Sequence, residues 1–374
     1  MEDQRKEFVI AAQNCNNISA LCRELGISRK TGYKWLKRYE NGQLLGDRSR
    51  APNTVANKTS SDMEERILRV RYDNPGWGAA TIHRVLENAG VENLPCVKTV
   101  NNILNRHHCI SAEESDKRRP FIRFQKEHCN DLWQTDFKGD FPLLDGNRCY
   151  PLDILDDCSR FLIKIVPSIS TANLVIPSFE QAFYEYGMPD SILSDNGAQF
   201  AGFKQGYTQF EKWIMCLDIL PIHGRIKHPQ TQGKIERFHR TLNNELLKHN
   251  TFSDITEADS CMQAWRDKYN HIRPHEALSM HTPAEVYVKS NREYTGKFPK
   301  FEYSGAFPVK KVNCKGYISF DNQRLFFSET FAGQYLEFRP NPLGDSFFAC
   351  YRNFKIAEFS TVSGKLLFRN ISRL

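Results

Sequence analysis

No two of the 11 cysteines in this chain stand in a Cys-x-x-Cys spacing. That absence speaks against a disulfide framework and against a common zinc knuckle, and leaves the cysteines as small buried hydrophobes. No apolar run approaches the roughly 18 residues a membrane helix needs, so no membrane partner is expected. The opening Met1-Glu-Asp-Gln-Arg-Lys is charged and leads into no long apolar stretch, so a secretory signal is not expected and the cytoplasm is the expected compartment. A strong charge imbalance is lacking as well: 51 basic and 44 acidic side chains leave a net charge of +7. That balance is compatible with nucleic-acid binding but does not demand it, so motifs must decide. What is present is a 40% hydrophobic, 12% aromatic composition over 374 residues, which fits a folded protein of several modules.

The first hundred residues are short, basic and helical in pattern, with turns where two helix-turn-helix units need them. Ile18, Leu21, Leu25 and Ile27 place apolar side chains on one face, Gly26 suits a tight turn, and Ser28 can cap the next helix. That helix, Arg29 to Tyr39, is expected to bury a stripe of Tyr33, Trp35 or Leu36 and to present Arg29, Lys30, Lys34, Lys37 and Arg38, as a helix entering a major groove does. A solvated basic helix in an ordinary bundle is the plainer alternative. Gly46 to Thr54, carrying Arg48 and Arg50, reads as a basic linker that can track a phosphate backbone. A second helical unit follows, with Lys98 and Arg106 available on its last helix. The expected divisions are a first helix-turn-helix domain at 1–47, a linker at 48–61, a second helix-turn-helix domain at 62–110, and a linker at 111–125.

From Asp131 the pattern turns to strands. Trp133 onward, Arg148 to Leu155 and Arg160 to Val166 predict three consecutive antiparallel strands, followed by a helix over Thr171 to Tyr186. Ser191 to Ser194 predicts a strand running into Asp195, then a helix over Phe203 to Leu217, a strand over Ile219 to Ile222, and a helix over Gln232 to Lys248. The order βββαβαβα is that of the α/β ribonuclease-H-like fold, here expected over 126–290. Beyond Lys297, short strands alternating with turns predict a small β-barrel domain at 297–374.

Asp136 lies in the first strand and Asp195 follows the fourth; in such a sheet these strands are neighbours. Glu236 sits in the first turns of the final helix. Three acids converging without a cation would repel one another, so the set implies Mg²⁺ or Mn²⁺, with two ions about 4 Å apart able to drive a phosphodiester displacement without a protein nucleophile.

Trp133-Gln-Thr-Asp136, Ser194-Asp195-Asn-Gly-Ala-Gln-Phe200 and His228-Pro-Gln-Thr-Gln-Gly-Lys-Ile-Glu236-Arg-Phe-His-Arg-Thr-Leu242 resemble the integrase catalytic cores of bacterial insertion-sequence transposases, especially the IS481 and IS3 groups. The resemblance implies a DDE transposase with Asp136, Asp195 and Glu236 as catalytic metal ligands. It implies double-stranded transposon ends and target DNA as partners, and a homodimer or higher oligomer on DNA. The 40 residues between Asp195 and Glu236 exceed the separation common in that family, and the excess is expected within Gly202 to Ile214. Arg240 and Asn243 share the helix face of Glu236, Lys234 and Arg237 flank it, and Gln232 precedes it; all five are expected at DNA, with ordinary surface charge as the alternative. His228 and His239 are read as structural before catalytic. Asp153 and the Asp156-Asp-Cys-Ser-Arg turn resemble family residues that shape a hairpin, while Tyr269, Asn270, Arg273 and Pro274 resemble the segment that closes the domain. A transcriptional regulator would need the helix-turn-helix units but not the three acids. A nuclease of the same fold would need the acids but not two DNA-reading modules.

Overall fold

The computed structural model describes residues 2–47, 59–110, 126–202, 206–224, 233–320, 323–342, 344–360, 366–368 and 371–374. Two compact units are present, Met1–Thr59 and Ser60–Leu374. The first contains helices α1 (Glu2–Gln13), α2 (Ile18–Glu24) and α3 (Arg29–Glu40). Asn17 and Ser28 cap α2 and α3, their side-chain oxygens each accepting a backbone N–H at 3.1 Å. Gly26 takes a φ of 63° between them, the turn that glycine permits without strain. The buried stripe differs from expectation. Tyr33 and Leu25 are exposed, and Gly32 and Cys22 are buried instead. The reason is close approach: a Cβ on Gly32 would lie 2.6 Å from Cys22 Sγ and 2.8 Å from Phe8 Cζ, so α1 and α2 cross α3 at its one residue without a side chain.

The second unit opens with α4 (Ser61–Asp73), α5 (Ala79–Asn88) and α6 (Val97–Arg106). Ile67, Ile82, Val100, Ile103 and Leu104 form their core together with Trp77, the buried residue of the Asn74-Pro-Gly-Trp-Gly break. This module rests on the following domain. Lys268 Nζ sits 5.5 Å from the centre of the Trp77 ring and donates to the Asp73 carbonyl at 3.2 Å, while Gly76, at φ 91°, lies against Glu245 and Asn244.

The central sheet comprises β1 (Trp133–Phe137), β4 (Leu152–Asp156), β5 (Leu162–Val166), β6 (Ser191–Ser194) and β7 (Leu220–His223), in the order β5-β4-β1-β6-β7. β1, β4 and β5 run antiparallel, and β6 and β7 join parallel to β1. The turn at Asp145-Gly146 belongs to a small separate hairpin, β2 (Phe141–Pro142) with β3 (Arg148–Cys149). One face of the sheet is covered by α7 (Val175–Tyr186) and α8 (Gln209–Cys216), packed through Phe179, Phe183, Phe210 and Ile214. The other is covered by α9 (Gly233–Glu245) and α10 (Ile255–His271), packed through Ile235, Phe238, Leu242, Met262 and Trp265; a short α11 (Pro283–Val286) follows. α8 is shorter than the sequence pattern predicts because Thr208 and Glu211 form a reciprocal capping box that fixes its start.

The C-terminal region folds as an antiparallel sheet of β8 (Val309–Lys311), β11 (Tyr335–Pro340), β12 (Ser346–Tyr351), β13 (Phe354–Ser360), β14 (Leu366–Phe368) and β15 (Ser372–Arg373), beside a hairpin of β9 (Tyr317–Phe320) and β10 (Gln323–Phe326). Both pack on one core of Ile318, Leu325, Phe338, Phe347 and Phe359. Its core also takes in Tyr207 and Met215, and Tyr207 Oη donates to the Ile356 carbonyl at 2.6 Å. Among the described residues no helix is long and apolar enough to cross a membrane.

Candidate active site

The site begins with strand register. β1 pairs with β4 so that Asp136 faces Asp153, and with β6 so that Gln134 faces Leu193. Carrying the second register forward two residues brings Asp136 abreast of Asp195. Side chains directly across a ladder share a face, so three aspartates from sequence-distant strands form a row across the sheet.

Each aspartate has a distinct environment. Asp195 leaves the end of β6, where its Oδ1 accepts the Gly197 N–H at 2.9 Å. A Cβ on Gly197 would lie 2.9 Å from that oxygen, so a larger residue there would displace the carboxylate. Asp153 is fully buried; its Oδ2 lies 2.8 Å from His239 Nε2, and its Oδ1 has no hydrogen-bond partner. The Asp136 carboxyl is pushed up to about 6, chiefly by burial; His239 opposes the rise, and the charges of Asp195 and Asp153 add to it.

Glu236 lies one turn before His239 on α9, which packs against β1. Its side chain is exposed, and among the described residues no three His, Cys, Asp or Glu side chains gather closely enough to hold an ion. The sheet thus brings Asp136 and Asp195 together, and the helix brings the Glu236 backbone to the same face.

The other residues singled out in the sequence are dispersed. Lys234 is turned inward, its Nζ donating to Asp157 Oδ2 at 2.5 Å, and burial lowers its ammonium to about 8. Arg237 and Arg240 are exposed on α9, and Asn243 is half-buried. Arg29, Lys30, Lys34 and Lys37 are exposed on α3, while Arg38 is half-buried and donates to the Gly46 carbonyl at 3.1 Å. Lys98 is exposed in the first turn of α6, and Arg106 pairs with Glu64 at 2.6 Å. Arg48, Arg50, Gln232 and His228 lie outside the described residues.

Two features depart from the sequence reading. Asp153 does not shape the hairpin; it faces Asp136 and anchors His239. Asp157, fully buried, is the acceptor for Lys234, for the Gln134 side chain at 2.7 Å and for the Lys126 N–H at 2.8 Å. The sequence carried one clue to the first: His239 is three residues beyond Glu236 and therefore on its side of the helix. Asp156 does shape the turn, accepting from Asn130 N and from the Ser159 N–H and hydroxyl. In the closing segment, the Asn270 amide bonds both the N–H and the carbonyl of Leu162, and Arg273 pairs with Glu245 at 2.8 Å.

Comparison with known proteins agrees with this architecture. Residues 126–229 and 217–283 match two family models, each described as an integrase core domain. Residues 4–52 match a helix-turn-helix domain and residues 31–104 a homeodomain-like domain. An uncharacterised 31.7 kDa protein of insertion element IS407 from Burkholderia multivorans is 26% identical over 231 residues, covering 60% of this chain and 80% of that protein. The transposase for transposon Tn552 from Staphylococcus aureus is 26% identical over 280 residues, covering 65% of this chain and 55% of that protein. The chain is an integrase-core transposase homologue. It combines DNA-binding helix-turn-helix modules with the core of a polynucleotidyl transferase. The match spans about half of the Tn552 protein, against four-fifths of the IS407 protein. A magnesium complex of the HTLV-2 integrase catalytic core domain aligns at 20% identity and a TM-score of 0.33, covering 42% of this chain and 96% of that one.

The raised Asp136 has a measurable consequence. Its carboxyl goes from an ordinary 3.8 to about 6 on folding, so the unfolded chain loses its proton first as pH rises. The contribution to stability is therefore unfavourable, growing between pH 4 and 6 and constant above. Asp136→Asn is expected to raise the melting point at pH 7 by an amount worth roughly 3 kcal/mol, and to change nothing below about pH 4. A thermal-denaturation series across pH checks this; a stabilisation independent of pH would rule out the charge as its cause.

Proposed function

We propose that this protein is a DDE transposase that binds the terminal inverted repeats of a mobile element, hydrolyses a phosphodiester at each end and joins the freed 3′ hydroxyl to target DNA. The observation that carries the reading is the pair Asp136, in β1, and Asp195, just past the end of the neighbouring β6, close enough for their charges to interact, with Glu236 one helix turn from the His239 that contacts Asp153 beside them.

These residues fit a hard divalent cation. The donors are all oxygen, Asp136 is buried beside a like charge that a cation would relieve, and one buried oxygen of Asp153 has no partner. Asp136, Asp195 and Glu236 would hold Mg²⁺ or Mn²⁺, and two ions would polarise the phosphodiester, activate the attacking oxygen and stabilise the leaving one. The protein's own part is positional. β1 and β6 fix Asp136 and Asp195 as neighbours, and the Gly197 N–H orients the Asp195 carboxylate. The exposed bases of α3 and α6, with Arg237 and Arg240, supply charge for DNA phosphates, and two protomers would carry the two ends. Lys234, held by Asp157, belongs to the scaffold in this reading.

The test is an oligonucleotide reaction with the inverted repeats that flank the gene. In Mg²⁺ or Mn²⁺ the purified protein should nick at the repeat terminus and join it to a plasmid, and EDTA should stop both steps without releasing the ends. Specific end binding with no cleavage under any divalent ion would favour a regulator instead.

A further inference from the structure

The apolar face of α9, Ile235, Phe238 and Leu242, sets which side of that helix meets the sheet but leaves its fine rotation and axial register to more directional contacts. One residue of slippage along a helix is 1.5 Å of rise and 100° of turn, and metal ligands tolerate only about 0.2 Å. Something more directional must therefore set Glu236. Two contacts supply it, on either side of that residue. Lys234 Nζ donates to Asp157 Oδ2 at 2.5 Å and to the Asp157 carbonyl at 3.2 Å. His239 Nε2 lies 2.8 Å from Asp153 Oδ2. Both carboxylates are fully buried, and both come from β4 or the turn that follows it, the strand paired to β1. Asp153 is moreover the direct ladder partner of Asp136.

We infer that Lys234–Asp157 and His239–Asp153 form a two-point clamp that fixes the rotation and axial register of α9, and so places Glu236 opposite Asp136 and Asp195. The inference rests on the three-acid reading given above. Positions 234 and 239 differ by five residues, about 140° around the helix, so the two anchors grip α9 from separate directions and neither alone prevents it from rolling. Because one anchor ends on β4, the strand beside Asp136, and the other in the turn directly after it, displacement of the helix relative to the acids is resisted close to its source. Lys234, His239, Asp153 and Asp157 are positioning residues: they act through Glu236 and touch no reacting atom.

The test compares His239→Ala and Lys234→Met with their conservative counterparts His239→Gln and Lys234→Arg, in the full chain bound to end DNA. Mn²⁺ binding, followed by electron paramagnetic resonance, should weaken about 10- to 100-fold in the first pair and recover substantially in the second. Joining in Mg²⁺ should fall in parallel, with partial recovery in Mn²⁺, while end binding stays unchanged. Should Lys234→Met fail to fold, Asp157→Asn, which removes the charge that holds Lys234 while keeping the side-chain shape, replaces it with the same expectation for Mn²⁺ affinity. Wild-type Mn²⁺ affinity in both Ala and Met variants, even with a lowered melting point, would reduce the contacts to ordinary structural ties and overturn the clamp. Glu236→Gln is the control: if it joins ends normally the three-acid reading fails, whereas if it is inactive and the clamp variants behave as wild type, only the clamp fails.

Discussion

Asp195→Asn is expected to lower end cleavage and strand joining by roughly a thousandfold or more, with end binding unchanged. The substitution is conservative in shape. Asparagine retains an oxygen able to accept the Gly197 N–H that Asp195 Oδ1 now accepts at 2.9 Å, so the loop after β6 has no reason to move. What disappears is one negative charge in a site that must hold a divalent cation, and losing a few kcal/mol of transition-state stabilisation translates into about a thousandfold in rate. Asp136→Asn and Glu236→Gln should behave alike, since a shared ion couples the three acids non-additively. Single-turnover assays on pre-cleaved and intact ends separate the two steps. An Asp195→Asn protein that joins pre-cleaved ends in Mg²⁺ within tenfold of wild type would remove this residue from the metal site.

The second large effect is on the scaffold. Trp133→Ala should lower stability by about 3–5 kcal/mol and the melting point of the core by roughly 10 °C. Trp133 is fully buried in β1, three residues before Asp136, and its ring lies 5.8 Å from that of Phe183 on α7. Its indole N–H donates to Asn130 Oδ1 at 3.0 Å, an oxygen that also accepts from Tyr287 Oη at 2.9 Å. Removing the indole therefore opens a cavity between β1 and α7 but leaves that oxygen satisfied, so the loss is one of packing rather than of an orphaned polar group. Calorimetry measures it directly. Trp133→Phe, which fills most of the volume, should recover more than half; equal losses for Phe and Ala would shift the explanation to the hydrogen bond.

Much of the architecture was legible in the chain because local rules carry it. The first helix-turn-helix unit is announced by Gly26, which turns through its backbone, and Ser28, which caps through its side-chain oxygen, and the strands that carry Asp136 and lead into Asp195 by short apolar runs with turn residues behind them. The stripe on α3 was misread at Tyr33 because helical periodicity identifies an inward face but not which of its residues another helix crosses most closely; Gly32 took that place through contact with Phe8 and Cys22.

The three acids are proposed from three motifs in order, with Asp136 inside β1, Asp195 just past the end of β6 and Glu236 in the first turn of α9. Charge, by contrast, is a pairwise quantity. Lys234 looks in sequence like Arg237 or Arg240, yet its ammonium is drawn inward because the turn after β4 carries the buried Asp157. Asp153 looks like one more acid near a turn until the β1–β4 register sets it against Asp136 and the helix brings His239 onto it. Spacing along the chain specifies which residues share a strand or helix face; only the packing of β4 and α9 decides which charges meet, since a hydrogen bond of 2.8 Å depends on two elements arriving at one point.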